Sequence, residues 1–120
     1  MTRRAWLALG LDAVLVLVFV LIGRRSHDEG SELAGLAVTL WPFWVALLVG
    51  WALSRSWRAP DRLVPSGLVV WAVTVAGGML LRAASGQGVQ PSFVIVTALV
   101  LAVLLLGRRL VAGLIARRRR

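Results

Sequence analysis

The chain has 120 residues, 59% of them hydrophobic with a further 12 glycines, and it carries a formal net charge of +9 with neither cysteine nor tyrosine. Soluble domains hold about 45–50% apolar residues on a count that includes glycine, and a chain this short has no interior large enough to hide the excess. These numbers exclude a secreted enzyme, a soluble nucleotide-binding domain and a disordered tail; the missing cysteines also exclude disulfides and thiolate metal ligands.

Four apolar runs follow one another. Ala5 to Gly23 carries one charge, Asp12; Leu33 to Ser54 and Leu63 to Leu81 carry none. Ala83 to Gly107 is also uncharged, begins with a turn-like stretch (Ser85, Gly86, Gln87, Gly88, Gln90, Pro91) and continues through Arg108 and Arg109 into Leu110 to Ala116. A helix needs roughly 20 residues to cross about 30 Å of hydrocarbon, and the runs lack the alternation of barrel strands. The reading is all-α: a single-domain integral membrane four-helix bundle, up-down-up-down, with helices at about 5–23, 33–53, 64–82 and 91–112 and a basic cytoplasmic tail at 113–120.

Arginine supplies every basic residue. Eleven fall at the N-terminus, the second connection (Arg55, Arg58, Arg62) and the C-terminal end, against three on the other side (Arg24, Arg25, Arg82). The positive-inside rule then puts both termini in the cytoplasm of a multi-pass cell-membrane protein. Arg117, Arg118, Arg119 and Arg120 follow a span without interleaved aromatics, so their expected partner is anionic lipid and not nucleic acid. The opening Thr2-Arg3-Arg4-Ala5-Trp6-Leu7 looks like a twin-arginine signal, but no small-x-small cleavage site follows it, and it is read as the start of the first span.

Asp12 is the ionisable residue well inside a span, and a carboxylate there costs about 3 kcal/mol on insertion scales unless paired, protonated or wet. Counting depth on antiparallel neighbours puts Ala46 to Gly50, Trp71 to Thr74 and roughly Val103 opposite it, so Trp71 and Thr74 are its expected donors. The candidate roles are structural acceptor, or proton or cation site. Gly67, Trp71, Thr74, Gly78 and Arg82 share one face of the third helix, and Gly35, Thr39, Pro42, Ala46 and Gly50 one face of the second. These are either packing surfaces, with Pro42, Gly50, Gly67 and Gly78 setting close approach or a kink, or the walls of a central cleft. Pro42 also frees the carbonyl of Val38.

Trp6, Trp51 and Trp57 fit an aromatic belt at the cytoplasmic boundary. Trp41, Trp44 and Trp71 lie deeper, where packing or a hydrophobic ligand held against indole faces would account for them. On the outer side Arg24, His27 and Arg82 form a candidate anion or headgroup site. One histidine beside Asp28 and Glu29 is a poor zinc site, and no metal or cofactor is expected. No nucleophile is paired with a base, so no catalytic residues are assigned.

Asp12, Gly23-Arg24-x-Ser26-His27, Pro42-Phe43, Gly50-Trp51, Gly67-x-x-x-Trp71, Gly78-Met79-x-x-Arg82, Gly88 and Phe93 together resemble the bacterial and archaeal membrane proteins grouped as domain of unknown function 3054. The resemblance covers nearly the whole chain except the end of the fourth helix, supports the architecture and implies no activity. The Ala-, Val- and Arg-rich composition fits a high-GC bacterial source. Two functional expectations follow: a non-enzymatic interaction or accessory membrane protein, partnered by a second copy or another membrane protein, or a small proton- or cation-coupled transporter or hydrophobic-ligand-binding protein using Asp12. An enzyme acting on lipid ranks behind both.

Overall fold

The computed structural model describes residues 1–26 and 33–119. Among these residues the regular secondary structure is all helix, without strands. Helix α1 spans Arg3–Ser26 and α2 Leu33–Ser54. A five-residue turn, Leu63–Gly67, leads into α3, Leu68–Ala84. Helix α4, Pro91–Leu101, passes through a wide π-helical turn, Ala102–Leu106, into α5, Gly107–Arg118. Four stretches are long and apolar enough to cross a membrane: Arg3–Gly23, Ala34–Ser54, Leu63–Ala84 and the 28-residue Pro91–Arg118. That is the signature of a multi-pass membrane protein.

The helix ends follow local chemistry. Thr2 Oγ1 accepts from the amide of Ala5 at 3.1 Å, capping the first turn of α1. Pro91 opens α4, where its missing N–H costs nothing. Gly86, at φ 82°, turns the chain after α3 in a conformation that favours glycine. The last helix runs to Arg118, six residues beyond the expected end near 112, so most of the expected tail is helical. Leu110, Val111, Leu114 and Ile115 continue the apolar pattern, and Arg117 and Arg118 in the final turn complement the helix dipole.

Helices α2 and α3 meet through their small residues. A Cβ added to Gly50 would lie 3.2 Å from Val70 Cα, one on Gly77 3.0 Å from Ala46 Cβ, and one on Gly78 2.5 Å from the Phe43 ring. Ala46 and Gly50 of the expected α2 face do meet α3, but at Val70, Val73 and Gly77, which lie off the expected α3 face. Gly78 meets Phe43 and Trp71 turns to α4, so the two expected faces do not line a cleft together. In lipid there is no hydrophobic drive between helices, so close backbone approach of this kind supplies much of the attraction.

Phe43 also stands edge-on to Phe19, with ring centroids 5.4 Å apart, and 6.4 Å from Phe93, so α1, α2 and α4 share one aromatic cluster. Arg82 lies over Phe93 at 4.5 Å and donates from Nε and Nη2 to Gly88 O, at 3.1 and 2.9 Å. Its Nη1 reaches Gln87 Oε1 at 3.0 Å, and Gln87 Nε2 donates to Val38 O at 3.0 Å. That carbonyl is the one Pro42 leaves without its helical donor, and a side chain from the α3–α4 turn satisfies it.

Gly78→Val should destabilise the protein by about 1–3 kcal/mol, the usual cost of overpacking, because Phe43 is fully buried and ringed by Phe19 and Phe93. Gly10→Ala, whose Cβ meets nothing within 4 Å, serves as the control. Thermal unfolding in detergent should separate the two, and Phe43→Leu should recover part of the loss in the Gly78→Val background.

Candidate functional site

Asp12 belongs to the inward stripe of α1. Ala5, Ala8, Asp12, Val16 and Phe19 recur at helical spacing, and all are buried. Leu101, Leu105 and Arg109 form the matching stripe of the last span, and Leu40, Phe43, Leu47 and Trp51 that of α2. The three stripes meet at Asp12, which is 0% exposed, and Arg109, which is 1% exposed.

Both carboxylate oxygens are engaged twice. Oδ1 accepts from Arg108 Nε at 2.8 Å and Arg109 Nη1 at 3.2 Å; Oδ2 accepts from Arg109 Nη2 at 2.6 Å and Trp51 Nε1 at 2.9 Å. Arg109 thus grips Asp12 with both ends of its fork, the strongest geometry open to this pair. A carboxylate offers roughly four acceptor positions, and four donors occupy them. Arg109 Nη1 also donates to Leu105 O at 3.0 Å, one turn back. Its stem lies against Gly67, where a Cβ would come within 2.7 Å of Arg109 Cδ. Glycine at 67 is therefore what lets the arginine pass into the interior.

A second aspartate extends the cluster outward. Arg108 Nη1 donates to Asp61 Oδ1 at 2.8 Å and Nη2 to Pro60 O at 3.0 Å. Asp61 Oδ2 accepts from Arg4 Nη2 at 2.7 Å and Nε at 3.1 Å. The cluster ties the first turn of α1 and the α2–α3 connection to α5. Asp61 lies outside the spans. Partial burial pushes its carboxyl up, but the hydrogen bonds from Arg4 and Arg108, with the charges of both, outweigh this and hold it below the usual carboxylate value.

The expected donors to Asp12 are corrected by this geometry. Trp71 Nε1 donates to Ala98 O at 2.9 Å, joining α3 to α4, and Thr74 Oγ1 turns back to Val70 O at 2.6 Å. The depth count stopped one residue short of Trp51 and placed Val103 where Arg108 and Arg109 stand. It assumed a helix ending near 112, whereas Asp12 and Arg109 each lie nine residues in from the helix ends at Arg3 and Arg118. Trp51 is 3% exposed and buried at the cluster, unlike the exposed Trp6 and Trp57. Trp44 Nε1 donates to Ala13 O at 3.0 Å, so it too is a helix–helix contact. Of the outer-side candidates, Arg82 is held in its own turn, while His27 and the side chain of Arg24 lie outside the described residues. Gly50, Gly67 and Gly78 stand at close contacts and Pro42 is buried inside α2. Among the described residues no three His, Asp or Glu side chains gather where they could hold a metal ion.

Residues 9–112 match the model of the family described as protein of unknown function (DUF3054). The chain belongs to that family. No curated protein and no solved structure matches it. The matched region holds Asp12, Trp51, Gly67, Arg108 and Arg109 alike, so the whole buried cluster falls within the family's extent.

Removing one member of a buried ion pair costs about 3–5 kcal/mol because the other charge is stranded. Asp12→Ala should therefore destabilise severely in detergent unfolding, and Asp12→Asn less, since the amide oxygen still accepts. Asp12→Leu combined with Arg109→Met should recover most of the loss. Asp61 gives a separate pH signature. Its lowered value means that its contribution is full above the unfolded value near 4 and is lost as pH falls through the folded value. Acid unfolding curves of Asp61→Asn should accordingly be flatter below about pH 5 than those of the native chain.

Proposed function

We propose that the chain is a non-enzymatic interaction or accessory protein of the bacterial plasma membrane, an up-down-up-down four-helix bundle with both termini in the cytoplasm. The direction of the helices is supported by which ends share contacts: Arg4 and Asp12 near the start of α1, Trp51 near the end of α2, Asp61 and Gly67 before α3, and Arg108 and Arg109 in α5. The orientation is supported by the arginines. Even without Arg108 and Arg109, which are engaged by aspartates, nine remain on the inner side against three on the outer. Arg117 to Arg120 then face the anionic inner leaflet.

The observation that carries the reading is the saturation of Asp12 by four donors of its own chain. A proton or cation carrier needs a carboxylate that empties and refills during its cycle, and here a guanidinium would have to leave first. Asp12 instead holds helices together. Function is then exercised through the lipid-facing surface, rich in exposed residues such as Leu11, Val14, Leu48, Ile95, Leu99 and Val103, against a second copy or another membrane protein.

Proteoliposomes loaded with a pH-sensitive dye test this reading: under an imposed potential, vesicles holding the native chain should pass protons no faster than protein-free vesicles. A proton flux that the native chain supports and Asp12→Asn abolishes would put the carrier reading in its place.

A further inference from the structure

The inner end of α5 carries two shallow grooves that share residues. One, of about 390 Å3, lies between α5 and the turn before α3, with Leu63, Leu110 and Leu114 as its apolar walls and Arg117 at its rim. The other, of about 370 Å3, lies alongside, walled by Val111, Leu114 and Ile115, with Arg117 and Arg118 at its rim. Leu114 is the ridge between them and Arg117 is common to both. Gly113 lines the first groove, and a Cβ there would meet nothing within 4 Å.

We propose that this pair of grooves seats one anionic diacyl phospholipid, an acyl chain on each side of Leu114 and the phosphate on Arg117. The occupant follows from chemistry and position. The grooves lie on the last membrane-length helix, so acyl chains are what surrounds them, and two shallow apolar-walled grooves that share one guanidinium suit two chains that share one phosphate. Charge complementarity selects an anionic headgroup: Arg117 and Arg118 are exposed, without an acidic partner among the described residues. The acid in the first groove, Asp61, is already paired with Arg4 and Arg108 and presents little free negative charge. The proposal rests on the inner-leaflet orientation proposed above and sharpens it, from a diffuse attraction spread over the terminal arginines to a seat built on one of them.

The test uses the full chain in neutral detergent, titrated with dioleoyl phosphatidylglycerol, dioleoyl phosphatidylcholine or inorganic phosphate, with retained ligand counted by native mass spectrometry. The expected result is saturable binding of one phosphatidylglycerol per chain, with phosphatidylcholine several-fold weaker and no retention of phosphate. Arg117→Gln should weaken phosphatidylglycerol about fivefold, the loss of one basic contact at the lipid surface. Gly113→Leu, which fills the first groove, should weaken it at least as much, and Arg119→Gln, outside both grooves, by less than twofold. Unfolding in lipid-free detergent checks that the variants fold, with Gly113→Ala replacing Gly113→Leu where that is needed. Equal losses from Arg117→Gln and Arg119→Gln with none from Gly113→Leu would overturn the seat and leave the diffuse attraction standing. Equal binding of the two lipids would overturn both. Retention of inorganic phosphate as strong as that of phosphatidylglycerol would make this an anion site and remove the lipid from it.

Discussion

A charge in hydrocarbon must be paired, and the pairing of Asp12 with Arg109 is the constraint around which the half of this protein nearer its termini is built. Neither residue is tolerable alone at that depth. Together they require α1 and α5 to present facing stripes at one level, a glycine at 67 to let the arginine stem through, and Trp51 to complete the carboxylate's acceptor positions. Arg108 carries the network out to Asp61 and Arg4 at the surface. Each component is intelligible only through the others: a substitution at Asp12 strands the Arg109 guanidinium and leaves Arg108 with Asp61 and Pro60 O alone.

The opposite end is held by different physics. There the contacts are aromatic and steric: Phe19, Phe43 and Phe93 in mutual contact, and Gly78 giving Phe43 its place. Polar groups at this end satisfy a specific debt of the backbone. Pro42 releases Val38 O, Gln87 takes it up, and Arg82 holds Gln87 while lying over Phe93. An intramembrane proline is tolerable where a neighbouring side chain replaces the missing donor, and here that replacement couples α2 to the turn between α3 and α4.

Much of this was legible in the amino-acid sequence, because membrane spans are written in long apolar runs and small-residue faces in simple spacing. From residue positions alone the freed carbonyl of Val38 and the α2 contact residues Ala46 and Gly50 could be named, though not Val70, Val73 and Gly77 opposite them. The partners of Asp12 could not. Trp51 and Arg108–Arg109 are what any span carries near its inner boundary, a belt tryptophan and positive-inside arginines, and composition does not reveal which way such residues point. A signal was nevertheless there: Thr97 and Arg109 are polar residues twelve apart, joined by Leu101 and Leu105 at steps of four, and all four are buried. With apolar residues all round the helix, the phase of that stripe carried no contrast against its neighbours until the packing defined it.

An apolar pair of similar volume in place of Asp12 and Arg109 would hold the helices at least as well in energy alone, since desolvation offsets much of the attraction between buried charges. What the ion pair adds is register. Leucine and valine surfaces in lipid slide and rotate against one another at little cost, because lipid tails are as apolar as they are. A two-pronged guanidinium grip on one carboxylate is satisfied at one rotation and one depth only. It fixes α5 against α1, and through Arg108 and Asp61 it fixes the α2–α3 connection against both. The aromatic cluster at the opposite end packs on helices whose relative positions the ion pair fixes.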